Sequence, residues 1–194
     1  SIAYNPLTKK YVGSFSNLNS STDSYVGMVA EIDPITNAKI VKVRTGLSFP
    51  GKLIIEGGLI FLAHQKGLRA YNAKTYKVVW NSEMVVSGMT SDKKGTIYLT
   101  SISRNGIFKL DVKTKQITPL TLGSVDKPAN IAYDKAANRL LITQYSSNFP
   151  SYVYGLDLQT NQVTQVAMFK DDHYLKGIEL DHCGHIYICL LYTS

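Results

Sequence analysis

Short runs in which β-branched, aromatic and aliphatic residues alternate with polar ones cover most of the chain, each closed by turn formers. The segment from Gly88 to Leu120 shows the unit most clearly. An apolar run closes at Asp92, and Lys93-Lys94-Gly95 turns the chain. Thr96 to Ser101 then reads as a second strand, Arg104-Asn105-Gly106 as a second turn and Ile107 to Val112 as a third strand. Lys113-Thr114-Lys115 forms a polar corner, and Gln116 to Leu120 a fourth strand. Four short antiparallel strands joined by hairpins leave a sheet with two apolar faces, which needs neighbours like itself.

The neighbours are present. Asp33-Pro34-Ile35-Thr36, Asn72-Ala73-Lys74-Thr75, Asp111-Val112-Lys113-Thr114 and Asp157-Leu158-Gln159-Thr160 form one column, with spacings of 39, 39 and 46 residues. A first-strand column runs through Ile2, Met89, Ile131 and Ile178, and a second-strand column through Tyr11, Ile60, Ile97, Leu140 and Ile186. A period near 40 with four strands per unit predicts an all-β fold, a β-propeller of four-stranded antiparallel blades. The count makes it incomplete: blades at about 1–52, 53–87, 88–130 and 131–177, and half of a fifth at 178–188. The Asp/Asn and Thr of each corner are explained by turn chemistry, since both side chains can bond backbone groups the corner leaves free.

The 194 residues, 44% of them hydrophobic and 18% charged, suit a globular domain, and the apolar runs are far shorter than the ~20 residues of a membrane-spanning helix. The net charge of +7 is dispersed over turns such as Lys9-Lys10 and Lys93-Lys94. It forms no stripe of the kind that binds nucleic acid, and suits protection of sheet edges. Cys183 and Cys189 lie in one hairpin and give no disulfide framework. The first residue, Ser1, falls inside a strand pattern, and the last six, Cys189 to Ser194, look like one reading frame of a transposon end used in preparing sequencing libraries. The expectation is a fragment of a larger, secreted protein with a non-native tail at 189–194.

Two insertions stand out, Ser16 to Ser24 in the first blade and Tyr145 to Tyr152 in the fourth. The first reads as an exposed loop, and both occupy the connection between the second and third strands. In a propeller that connection shares a face with the crossings between blades, so the insertions would build one rim. Candidate ligand-binding residues there are Tyr145, Asn148, Tyr152, Asn17, Asn130 and Lys176, for a small molecule or a protein. Trp80 reads as buried between blades and His64 and His173 as rim or strand-end residues, while Asp181-His182-Cys183-Gly184-His185 aligns with the ordinary turn Asp92-Lys93-Lys94-Gly95 rather than with a zinc site.

The segments Pro128 to Asp134, Asn138 to Thr143 and Leu175 to Tyr187 resemble the six-bladed propellers of the senescence-marker-protein and gluconolactonase group. That resemblance implies a divalent metal, calcium or zinc, in a central channel, held by carboxylate and amide side chains just before the inner strands, with a metal-bound water attacking a lactone. Here the matching positions are Ser87, Ala129 and Lys176. None is a carboxylate, and Asn130 is the one polar ligand close by. The expectation is therefore a binding or scaffold propeller with no catalytic residue, no metal and no cofactor; the alternative is a metal-dependent lactone hydrolase. A quinone-dependent dehydrogenase propeller lacks its tryptophan-rich repeats, since Trp80 stands alone.

Overall fold

A computed structural model describes residues 1–19, 24–45, 51–122, 124–145, 150–170 and 173–192. The chain divides into two compact units, Ser1–Val86 and Ser87–Ser194. Among the described residues every regular element is a strand, and no helix is long and apolar enough to cross a membrane.

The first unit holds two antiparallel meanders. One has the order β1 (Ile2–Asn5), β2 (Lys10–Asn19), β3 (Ser24–Ile32), β4 (Lys39–Arg44). The other runs β5 (Leu53–Glu56), β6 (Leu59–His64), β7 (Gly67–Asn72), β8 (Val78–Ser82). The β5–β6 turn is two residues long, Gly57 and Gly58, with φ of 55° and 74°. Two consecutive positive φ values match the twist of the flanking strands, and glycine takes them without strain. Val12 and Val29 from the first sheet pack with Leu53, Ile55, Ile60, Leu62, Tyr71 and Ala73 from the second.

The second unit holds two more four-stranded meanders: β9 (Gly88–Ser91), β10 (Thr96–Ser101), β11 (Gly106–Asp111), β12 (Ile117–Leu122), then β13 (Pro128–Asp134), β14 (Arg139–Gln144), β15 (Ser151–Asp157), β16 (Val163–Phe169). A two-stranded sheet, β17 (His173–Leu180) with β18 (Ile186–Tyr192), follows. The apolar run of β14 is buried on both faces. Leu140 and Ile142 join a cluster with Ile107, Val125, Ile131 and Leu156, while Leu141 points the other way into Ala132, Val153, Leu175 and Ile178. The strands β5, β6, β9, β10, β13 and β14 are thus mostly deep, and the outer strands β4, β8 and β16 are largely exposed. Each four-stranded sheet carries a bulge on its outer strand, where one extra residue stands opposite Val29/Ala30, Ala70/Tyr71, Ile107/Phe108 and Val153/Tyr154 of the third strand. A bulge at a fixed place increases the local twist of each sheet in the same way.

The corner column behaves as its turn chemistry requires. Asp33 Oδ1 accepts from the N–H groups of Ile35 and Thr36, Asn72 Oδ1 from Lys74 and Thr75, Asp111 Oδ1 from Thr114, and Asp157 Oδ1 from Gln159 and Thr160. Each corner Thr hydroxyl then accepts from the residue two further on. The residue four past the Asp or Asn takes a left-handed φ, at Asn37, Tyr76, Lys115 and Asn161, and its N–H closes back on the Asp or Asn carbonyl. Asp181 and Asp92 also match: each Oδ1 accepts from N–H groups two and four residues on.

Several boundaries differ from those expected. Ser16 to Ser24 is not one long loop: β2 continues to Asn19 and pairs with β3 from Ser24, Asn19 opposite Ser24. Polar composition does not end a ladder whose register is already fixed by Val12 and Val29 lower down. Tyr152 belongs to β15 rather than to the insertion. The first strand of the fourth sheet starts at Pro128 and that of the last at His173, ahead of the apolar columns at Ile131 and Ile178, because bulges at Pro128/Ile131 and Leu175/Gly177 interrupt the alternation that marked them. β18 runs through Ile188 to Tyr192, pairing with β17. Trp80 is half-buried within the outer strand β8, opposite Ala70, rather than enclosed.

Candidate functional site

A cavity of about 210 Å³ opens at the end of the second unit where second strands finish and first strands begin. Ser87 and Ile102 line it from the β9 to β12 sheet, Ala129, Asn130, Gln144 and Tyr145 from the β13 to β16 sheet, and Leu175 and Lys176 from β17.

Backbone proximity creates this arrangement. A Cβ on Gly88 would lie 2.6 Å from the Ala129 carbonyl oxygen and 2.9 Å from the Asn130 Cα. Only glycine lets adjacent first strands approach so closely. The fully buried Thr100 hydroxyl donates to the Ala129 carbonyl across this gap. Ser87 is fixed by its N–H to Thr100 O at 2.8 Å, and its Oγ accepts from Ile102 N at 3.1 Å. Asn130 N donates to the buried Thr143 Oγ1 at 3.0 Å, and Asn130 Nδ2 lies 3.4 Å from both Thr143 Oγ1 and Leu175 O. Asn130 therefore ties one sheet to the next.

Two lining side chains, Tyr145 and Lys176, face outward from that frame. Tyr145, held by its N–H to Lys127 O at 2.9 Å, is 44% exposed. Lys176 is exposed, and no carboxylate is among the described lining residues. Gln144 Oε1 is buried and has no hydrogen-bond partner among the described residues.

Of the six residues proposed from sequence, Asn130, Tyr145 and Lys176 come together here. Tyr152 is not in the lining; its ring lies 5.9 Å from that of Tyr154. The backbone of Asn17 pairs with Val26 in the first unit, and Asn148 lies outside the described residues. Sequence reasoning missed Gln144. It follows Thr143 at the end of its second strand as Ser101 follows Thr100, so the repeat columns carried the signal.

The second unit has a larger cavity, about 550 Å³, beside the turns at Asp134 to Ala136 and Asp181 to Gly184. Its acids are engaged locally. Asp134 accepts from Arg139 Nε at 2.9 Å and from Ala137 N. Asp181 accepts from Cys183 N, His185 N, His185 Nδ1 and Tyr187 OH, and the bond to His185 leads the interactions that hold its carboxyl below the ordinary range. Among the described residues no group of three or more His, Cys, Asp or Glu is placed to hold a metal ion. The metal implied by the sequence resemblance does not fit the first cavity: the donors there are amides and hydroxyls beside an ammonium, whereas hard divalent cations take carboxylate oxygens. His64, at the end of β6, accepts from Lys66 N at Nδ1; burial, then Arg69 and Lys66, push its pKa down.

No family model and no curated protein matches the chain. Solved structures do. A chain in the crystal structure of the nidogen/laminin complex superposes with a TM-score of 0.72 at 12% identity, covering 97% of this chain and 70% of that one. A chain of Kuenenia stuttgartiensis hydrazine synthase gives 0.62 at 15% identity, covering 78% of this chain and 45% of its own length. The fold is a β-propeller. Its sheets are blades, and the first cavity lies where three successive blades of the second unit meet. Propellers host unrelated functions, so the likeness fixes architecture and leaves activity to the site.

Proposed function

We propose that this chain is a non-enzymatic, protein-binding β-propeller, part of a larger secreted protein whose blade pattern is akin to the gluconolactonase group, and that it binds through the cavity end of its second unit. The observation that carries the reading is the composition of that cavity. It joins an exposed aromatic and an exposed cation, with no carboxylate among the described lining residues to act as metal ligand or general base. Exposed tyrosine flanking a small pocket is typical of surfaces that dock proteins, where one polar tip and one apolar face serve together. The nidogen/laminin neighbour is, by its name, part of a complex of proteins, which agrees with such a role.

The test is a selection of displayed peptides against the protein, followed by binding to variants. Binders lost on Tyr145→Ala and Lys176→Met, and kept on Lys113→Met at a corner, support the reading. Binders indifferent to all three, or lactone hydrolysis dependent on added calcium or zinc, overturn it.

A further inference from the structure

We infer that the β6–β7 hairpin of the first unit carries a site of its own, at which Arg69 and Lys66, with His64 as a third donor, bind a phosphoryl group. The placement follows from register. Leu62 stands opposite Arg69 and His64 opposite Gly67, so Arg69 and His64 share one face of the hairpin, with Lys66 in the turn between them. Both cations are near enough to help depress the His64 pKa, and Lys66 N donates to His64 Nδ1 at 3.1 Å. That bond places the ring proton on Nε2 and makes His64 a neutral donor.

Arg69 is held in position. Its Nε donates to Asn81 Oδ1 at 2.7 Å and its Nη1 to the Thr45 carbonyl at 3.3 Å, which orients the guanidinium and leaves Nη2 for a ligand. Its charge is also uncompensated. Lys10 and Lys42 pair with Glu31 and Arg139 with Asp134, whereas among the described residues neither Arg69 nor Lys66 pairs with a carboxylate. Glu83, whose Cα would lie 2.9 Å from a Cβ on Gly67, is the acid beside the turn, and it is exposed. The linker after Thr45, Gly46 to Pro50, has no acid in its sequence.

Charge and shape then select the ligand. Arg69 and Lys66 bring two positive charges, and His64 adds a donor without charge. A carboxylate offers one negative charge and two oxygens. A phosphoryl monoester near neutral pH carries about −1.5 to −2 charges on three acceptor oxygens, which matches both the charge and the donors. Arg can meet two of those oxygens at once, and such charge-assisted bonds are stronger than neutral ones.

The experiment is amide NMR of the isotopically labelled protein at neutral pH and constant ionic strength, titrated with sodium phosphate, methyl phosphate and sodium acetate. The proposal expects saturable shifts at Lys66, Gly67, Arg69 and Asn81 with phosphate, and binding about tenfold weaker for acetate. Arg69→Met and Lys66→Met should each weaken phosphate binding by about tenfold, and Lys113→Met in the second unit should leave it unchanged. Methyl phosphate bound as well as phosphate would mark a phosphoryl group carried on a larger molecule, and phosphate alone the free ion; either supports the assignment. Unchanged amide spectra elsewhere establish that the variants fold, and Lys66, exposed in its turn, tests the site even where Arg69→Met unfolds. Acetate bound as tightly as phosphate would overturn the phosphoryl ligand. Shifts that fail to saturate, or that survive Lys66→Met and Arg69→Met, would remove the site, and neither result bears on the cavity of the second unit.

Discussion

The two units join successive blades by the same device and then differ in what they leave at its edge. In the first unit the Ser14 hydroxyl donates to the Gly51 carbonyl at 2.9 Å; in the second the Thr100 hydroxyl donates to the Ala129 carbonyl. Both hydroxyls stand on a second strand and hold the segment entering the next blade. One residue beyond this level stand His64 in the first unit and Gln144 in the second, each closing its second strand. His64 Nδ1 takes a proton donor from its own turn, Lys66 N at 3.1 Å, while Gln144 Oε1 takes none among the described residues. The same frame therefore closes its edge with a bond from its own turn at His64 and with a buried amide at Gln144, while Tyr145 and Lys176 stand exposed beside the latter.

Charge burial differs as well. Glu31, 4% exposed, accepts from Tyr76 OH at 2.8 Å and pairs with Lys42 Nζ at 3.0 Å, joining the two blades of the first unit. The second unit uses a neutral contact, the stacked rings of Tyr98 and Tyr133 at 5.9 Å. Burial raises the Glu31 pKa, but the bonds from Tyr76 and Lys42 outweigh it and the carboxyl sits below its ordinary value; the same burial and the Glu31 bond push Tyr76 well above its own.

The largest effects should come from the blade contacts. Leu141→Ala in the second unit should cost about 2–5 kcal/mol in chemical denaturation, as should Leu62→Ala in the first, since both are fully buried. Separate transitions for the two variants would sharpen the division into units; a single shared shift would blur it. Gly88→Ala should cost about 1–3 kcal/mol, because its Cβ meets backbone rather than a side chain that could move.

Next comes acid. Glu31 has its pKa depressed by folding, so the unfolded chain binds the proton more tightly. Its contribution is complete above the ordinary glutamate pKa of about 4.3 and is lost as pH falls through that value towards the folded one. Glu31→Gln should destabilise the first unit by about 1–3 kcal/mol at neutral pH and flatten its acid transition, read as melting temperature against pH. The corner acids have the same sign: N–H donors led by Thr36, Thr114 and Thr160 hold Asp33, Asp111 and Asp157 below the ordinary range. Asn72 fills one first-unit corner without a charge, whereas both second-unit corners are acids. Asp111→Asn should keep the turn and give the smallest shift of all, a slightly flatter acid limb.

Much of this was legible in the chain. The corner columns and the second strand Thr96–Ser101 were readable because a turn needs particular side chains within a few residues, and that need is local. The strand starts at Pro128 and His173 were not, because bulges break the period on which such reading depends. Asn130, Tyr145 and Lys176 could be placed on one rim from repeat geometry alone. Gln144 could not, since the burial of a single amide oxygen shows only in three dimensions.

The central claim, that the cavity edge at Gln144 serves binding rather than the fold, is tested most directly by chemical denaturation of Gln144→Met beside the parent protein. Replacing an unpaired buried amide with an apolar side chain of similar length should leave stability unchanged or raise it by up to about 1 kcal/mol. A loss of more than about 1 kcal/mol would mean that the amide serves the fold itself, and would contradict the account.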